Sequence, residues 1–434
     1  MNVIQHMEVP MRRSVIVPFI IASLAVLQCS CKDNVTNNYY PGTTGTDNST
    51  TPHAVVTDNP TTIISYSDMA SVPRGTTMKL RVNRDDFDIW EVDVVFDALY
   101  TEGPDRLILC HTSGDFPIGS GDSGSPLLTS DGRVAGILCY GYYGNSSDFC
   151  ARAIEDVLGV QVNAASRPSP TKLFRTIQPV YVVSGYDAQA ASRYPLLGDA
   201  LGKYSVQTGR PFKRGTSLAK SAANTVLPGS SIAVMFITGD YVLEGAIGTM
   251  SYLNNGTDLA FGHSYDSFLA APTYLADNKS FITTIDESFK MAEPTEQFIG
   301  SLVKNDFNGI MIKENVNPLV ANLATSCSIN GQSAFLYHHQ ISNTPDFGYD
   351  KDLAANLSCY LLYQELVARN TWEDSVVATC SLQVVTEQEM INMTFAVQNS
   401  TIDDDIYYYI LDNVQTSVTN KELKSFNLSI NLQY

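Results

Sequence analysis

The sequence predicts a mainly β, exported and acidic protein whose last third changes to an α+β module. Three observations lead there. Charged residues make up 17% of the 434 positions while Tyr alone numbers 23, and that balance, with plentiful Thr and Asn, favours pleated strands over long solvated helices. Apolar residues recur in strand-length runs up to about residue 315, after which helical spacing enters. An apolar stretch between paired arginines and two cysteines opens the chain, the pattern of an export signal. The length suits two or three domains, and a 44% hydrophobic content allows a sizeable core. A formal net charge of −18 excludes nucleic acid as a partner, because that binding draws on clustered Lys and Arg. No run of about 18 apolar residues occurs beyond the extreme N-terminus, which excludes a polytopic membrane protein.

Arg12 and Arg13 precede an apolar stretch from Val15 to Leu27, interrupted by Pro18 and followed by Gln28-Cys29-Ser30-Cys31. The expectation is a signal peptide over 1–28 that ends in a lipobox-like Leu-Gln-Cys-Ser-Cys. Cys29 is the expected lipidated residue and Cys31 the alternative. Residues 29–60, rich in Asn, Thr, Gly, Asp and Pro, have no apolar period and read as a flexible tether. Together these predict a lipoprotein of a bacterial cell envelope, periplasmic or surface-exposed, held to a membrane through its N-terminal lipid anchor.

Between 61 and 164, strands are expected at Met78–Val82, Trp90–Phe96, Arg106–His111, Ser125–Leu128 and Arg133–Cys139, with Ser130-Asp131-Gly132 turning between the last two. Residues 165–227, mixed in character, connect two lobes. Strands resume over 228–315 at Ile232–Thr238, Gly245–Leu253, Asp258–Phe261, Ser280–Asp286, Phe298–Val303 and Gly309–Ile312. Over 316–434, Leu353, Leu357, Tyr360, Leu361 and Val367 recur at helical spacing, and Ser375–Val385 and Ile391–Val397 look like strands. Ser400 then caps a helix with Asp403, Asp404 and Asp405 in its first turn, where the helix dipole favours acid. Alternating Phe426, Leu428, Ile430 and Leu432 make a closing strand, and no helical or solenoid repeat is evident. Cys110, Cys139, Cys150, Cys327, Cys359 and Cys380 suit buried thiols as well as bridges, and none has zinc-ligand spacing.

Gly121-Asp122-Ser123-Gly124-Ser125-Pro126 is the most informative stretch. Glycines on both sides of a serine permit a tight turn that exposes Oγ and aims backbone N–H groups inward, where they can hold a developing oxyanion. Gly121 and Ser123 would supply those two N–H groups. Asp122, beside the nucleophile, needs hydrogen bonds or a cation if it is buried. A serine nucleophile also needs a base. His53 lies in the tether, His111 reads as structural or surface, and His338-His339 reads as an exposed, solvated pair. His263, in Phe261-Gly262-His263-Ser264-Tyr265-Asp266 directly after a strand, is the strongest candidate. The chymotrypsin order is unavailable, because about sixty residues separate the tether from Ser123 and they hold no suitable base.

The residues after 60 resemble the SpoIVB family of serine peptidases, family S55. Gly121–Pro126, Gly132-Arg133-Val134-Ala135-Gly136 and Ala153-Ile154-Glu155-Asp156-Val157-Leu158 are similar to its serine segment. Pro228-Gly229-Ser230-Ser231, Gly248-Thr249-Met250, Phe261-Gly262-His263 and Ser288-Phe289-Lys290 are similar to its histidine segment. The serine segment comes first here, the reverse of the sporulation protease, and Asp122 stands where the family has methionine. The resemblance implies two trypsin-like β-barrel lobes in permuted order. The first, 61–164, would carry Ser123 and the second, 228–315, His263. It also implies a Ser/His/Asp triad, with Ser123 as nucleophile, His263 as base, and Asp115 as the first choice of acid before Asp266. The expected activity is hydrolysis of peptide bonds in a protein or peptide substrate through an acyl-enzyme, with no metal or organic cofactor. The alternative is a catalytically inactive, peptidase-like surface lipoprotein acting in binding or display.

Overall fold

A computed structural model describes residues 56–434 except 103–104, 115, 143–144, 159–173, 178–179, 186–192, 195–204, 208–223, 255, 263–269, 284–287, 307–308, 315, 344–346, 370–375, 399–401 and 419–420. The signal peptide, Cys29, Cys31 and nearly all of the tether lie outside the described residues. Among the described residues no helix is long and apolar enough to cross a membrane.

The first barrel is formed by β1 (Thr77–Asp85), β2 (Asp88–Glu102), β3 (Asp105–Thr112), β4 (Pro126–Leu128), β5 (Val134–Tyr142) and β6 (Asn145–Ala153). They close in the order β1-β2-β3-β6-β5-β4 and back to β1, every pairing antiparallel. Met78, Leu80, Val82, Val92, Val94, Ile108, Leu127 and Ala135 lie in its buried core. The alternation of Met78, Leu80 and Val82 is the period of a strand with one face inward. Gly132, at φ 83°, makes the expected turn between β4 and β5.

From the connecting region, β7 (Phe174–Thr176) pairs with β5, and β8 (Val180–Ser184) and β9 (Ser205–Gln207) join the second barrel. That barrel comprises β10 (Ser231–Gly239), β11 (Leu243–Tyr252), β12 (Thr257–Ala260), β13 (Pro272–Thr283), β14 (Ser288–Asp306) and β15 (Gly309–Glu314). It closes as β10-β11-β12-β15-β14-β13, again antiparallel throughout. In both barrels the first strand pairs with the second and fourth, the third with the sixth, and the fifth bridges fourth and sixth. The two closed sheets therefore share one connectivity, although no repeat shows in the sequence. The two-barrel, mainly β fold is the one expected. Every residue of β10 and β11 is buried, because neighbouring elements cover the barrel's outer face there.

The last third is α+β. β16 (Val320–Ile329), β17 (Gln332–Ser342), β18 (Val377–Thr386), β19 (Met390–Gln398) and β20 (Leu423–Gln433) stand in the order β19-β18-β20-β16-β17, and β17 continues the sheet onto β10. The short helices α1 (Tyr66–Met69) and α2 (Ile154–Val157) come before and after the first barrel's strands in the chain, and in the last third α3 spans Phe347–Arg369 and α4 spans Ile402–Val418. Phe426, Leu428, Ile430 and Leu432 of the closing strand are buried with Leu353, Leu357, Tyr360 and Leu361 of α3. Val367, placed on the same face by spacing, is instead exposed, and Leu366 takes the inward position. Ser400, the expected cap of α4, lies outside the described residues. Cys110, Cys139, Cys150, Cys327, Cys359 and Cys380 are buried, and among the described residues none forms a disulfide.

Candidate active site

Ser123 sits in the connection from the third to the fourth strand of the first barrel, and residues 261–271 form the equivalent connection of the second. Gly121 and Gly124 have φ of 87° and 95°, the left-handed region that glycine enters without a Cβ penalty. Space also demands glycine at 124. A Cβ there would lie 2.3 Å from the Thr249 carbonyl oxygen and 2.6 Å from the Phe261 nitrogen. The second barrel thus meets the serine turn backbone to backbone.

The turn's amides are aimed by their own carbonyls, because N–H and C=O of a trans peptide point in opposite directions. The Ser120 carbonyl accepts from the Lys290 N–H at 2.9 Å, and the Asp122 carbonyl accepts from the Ser125 N–H at 2.9 Å. The amides directed the other way belong to Gly121 and Ser123, and among the described residues neither has an acceptor. The Ser120 N–H also donates to the Ser288 carbonyl at 2.8 Å, so β14 grips Ser120 on both sides.

Asp122 is wholly buried and has the cation its position requires. Arg84 donates to it bidentately, Nη1 to Oδ1 at 2.5 Å and Nη2 to Oδ2 at 2.8 Å, the strongest geometry for such a pair. The Gly119 N–H donates to Oδ2 at 3.1 Å. Arg84 lies between the Phe116 and Phe281 rings, 4.8 and 3.7 Å from their centroids, so the guanidinium is held from both barrels. A second cation, Lys290 Nζ, stands 3.6 Å from Asp122 Oδ1. Its burial pushes its pKa down to about 8, with Asp122 opposing the shift and Arg84 adding to it.

Ser123 itself is wholly buried, and among the described residues its Oγ has no hydrogen-bond partner. Its carbonyl accepts from the Thr249 N–H at 3.1 Å. Opposite it, Phe261 has a φ of 70° and the Gly262 N–H returns to the Ala260 carbonyl at 2.9 Å, a γ-turn of the strained kind. Gly248 makes room for the Phe261 ring, which would lie 2.0 Å from a Cβ at that position. Gly262, the residue before His263 in the chain, is so close that its own Cβ would lie 3.3 Å from the Gly124 nitrogen. The Gly262 carbonyl accepts from Arg152 Nη1 of the first barrel at 3.0 Å.

His263, Asp115 and Asp266 lie outside the described residues, as does Cys29. Residues from all four histidine-segment motifs meet around the serine turn and the Lys290 side chain: Ser231, Thr249, Phe261-Gly262 and Ser288-Phe289-Lys290. His111 is half-exposed and its Nδ1 pairs with Asp97 at 2.7 Å, the surface role expected for it. The expected solvated His338-His339 pair needs correction. His338 is exposed, but His339 is buried, and its Nε2 accepts from the Tyr241 and Val242 N–H groups at 3.3 and 3.0 Å. Strand alternation explains the split, since neighbours on β17 face opposite ways. Arg84 and the side-chain role of Lys290 were not foreseen. Their signal was indirect, the need of a buried Asp122 for a cation.

No family model and no curated protein matches the chain. Among solved structures, the crystal structure of streptococcal pyrogenic exotoxin J aligns at 12% identity over 46% of this chain and 89% of that one, with a TM-score of 0.15. An alignment at that score carries no argument.

Proposed function

We propose that the chain is an exported, membrane-anchored serine peptidase similar to the SpoIVB family. Ser123 attacks a peptide carbonyl, the Gly121 and Ser123 N–H groups receive the oxyanion, His263 moves the proton, and an acyl-enzyme forms and is hydrolysed. Asp115 is the favoured orienting acid, with Asp266 second. The observation that carries this reading is the turn itself. Among the described residues two N–H groups have no acceptor while the carbonyl of each one's own peptide is pinned, and Phe261-Gly262 packs against Gly124. An ordinary Gly/Ser turn has no need of such fixed, unspent donors.

A second reading is supported by one specific observation. Ser123 is wholly buried, and a nucleophile must meet its substrate. A peptidase-like lipoprotein that binds or displays without catalysis would tolerate that occlusion. Labelling of the purified mature protein with a fluorophosphonate separates the two. The peptidase reading requires adduct mass on Ser123 that disappears in Ser123→Ala and in His263→Ala. No adduct at any pH from 5 to about 9, a span covering ordinary histidine titration, would give the display reading precedence. The anchor is tested separately by detergent-phase partitioning, which should be lost when Cys29 and Cys31 are both changed to serine.

A further inference from the structure

Lys290 presents more than a buried apolar stem. Its ammonium carries three N–H donors and has two hydroxyl acceptors, Ser231 Oγ at 3.0 Å and Thr249 Oγ1 at 3.2 Å, with Asp122 Oδ1 as an ion-pair partner at 3.6 Å. Each hydroxyl has a single proton, and both protons are directed onward. Thr249 Oγ1 donates to the Gly121 carbonyl at 2.9 Å, and Ser231 Oγ donates to Asn83 Oδ1 at 3.1 Å. The hydroxyls must therefore accept from Lys290. One path runs from its ammonium through Thr249 to Gly121, and a second runs from its N–H to the Ser120 carbonyl. Among the described residues, the charged groups facing this ammonium are Asp122 and Arg84, both from the first barrel. Among the described residues, two cations and one carboxylate leave a net positive charge behind the turn. A buried positive charge is costly when unbalanced, and it favours an oxyanion formed at Ser123.

Resting on the serine-peptidase reading, we infer that Lys290 is a positioning residue for the oxyanion turn, its side chain fixing the Gly121 carbonyl through Thr249 and placing a positive charge behind the turn.

The test compares wild-type mature protein with Lys290→Met, which keeps volume and removes charge, and with Thr249→Val, which cuts the relay and keeps the charge. The first readout is the rate of fluorophosphonate labelling at Ser123 against pH. Wild type should lose rate as pH rises through about 8. Lys290→Met should be slower at pH 7 by about ten- to a hundredfold, somewhat less than outright deletion of an oxyanion donor, and should lack that alkaline limb. Thr249→Val should be slowed but keep the limb. The second readout is amide hydrogen exchange over 117–128, which needs no catalysis. Lys290→Met should exchange faster there and unchanged over 320–342. Absence of wild-type labelling refutes the peptidase reading alone. Unchanged exchange of 117–128 in Lys290→Met refutes the positioning role, whatever the labelling shows. Should Lys290→Met fail to fold, Thr249→Val and Ser231→Ala carry the same exchange test.

Discussion

Replacing Arg84 by Met tests how the serine turn is held. Met retains most of the packing between Phe116 and Phe281 but removes the charge and both hydrogen bonds to Asp122. Both side chains are nearly inaccessible, 5% and 0% exposed, so solvent cannot substitute for the lost partner. Breaking a buried pair from one side costs about 3–5 kcal/mol. Lys290 remains 3.6 Å from Asp122 as a partial counter-charge, which sets the expectation at the lower end, about 3 kcal/mol. The half-exposed pair of Lys79 and Asp93 is the internal control, and Lys79→Met should cost at most about 1 kcal/mol. Urea unfolding of the mature protein gives both values, provided the m-values stay equal. In the double variant Arg84→Met/Asp122→Asn the losses should fall short of additive by at least about 1.5 kcal/mol, because no unpaired carboxylate is left. An Arg84→Met loss as small as that of Lys79→Met, or strict additivity, would refute the reasoning.

Gly124→Ala should cost at least about 2 kcal/mol and abolish fluorophosphonate labelling, because its Cβ meets backbone atoms and its φ is left-handed. Gly75→Ala, at φ 86° in open space, should show the conformational penalty alone, about 1 kcal/mol by urea unfolding. Burial holds His339 neutral, its pKa down near 4 against an ordinary 6.5. Its folded value lies below the unfolded one, so its contribution is complete above pH 6.5 and is lost as pH falls towards 4. Wild type should lose about 3 kcal/mol across that window relative to His339→Asn, measured by urea midpoints. Burial raises the pKa of Cys110, Cys139, Cys327, Cys359 and Cys380. None of these should react with a disulfide reagent in the native protein, all should in denaturant, and rapid native labelling would contradict their burial.

Much of the fold is legible because the barrel strands carry their own signals. Met78–Val82, Trp90–Phe96 and Ile232–Thr238 combine β-branched or aromatic content with strand length, and each lies within an observed strand. β16 and β17 were missed because Asn322, Ser326 and Ser328 share one face of Val320–Ile329 with Val320 and Ala324 while Thr325 interrupts the other, which blunts the apolar period. Their hairpin does carry a signal, Asn330-Gly331, with φ of 49° and 78° as a primed turn requires. β13 begins at Pro272, earlier than the expected Ser280, since a proline at the first position of a strand forfeits no ladder bond. At the site, the Gly-Asp-Ser-Gly stretch announces a turn with inward donors by local chemistry alone. The partners that fix those donors are not local. Arg84 stands 38 residues from Asp122 and Thr249 stands 128 from Gly121, and no pattern along the chain records which strands closure of two barrels will bring together.

The bonds that tie Ser120 to Ser288 and Lys290 join positions about 170 residues apart. Contacts that distant in sequence form late, because their loops must close first. A chain emerging N-terminus first carries Ser123 long before it carries Ser288 and Lys290. Throughout that interval the serine lacks oriented donors and is an ordinary hydroxyl. Under the proposed peptidase function, reactivity at Ser123 would be a proofreading signal, since only a molecule whose second barrel has closed and docked possesses the turn. The cross-barrel backbone bonds thereby tie completion of the serine turn to the end of folding.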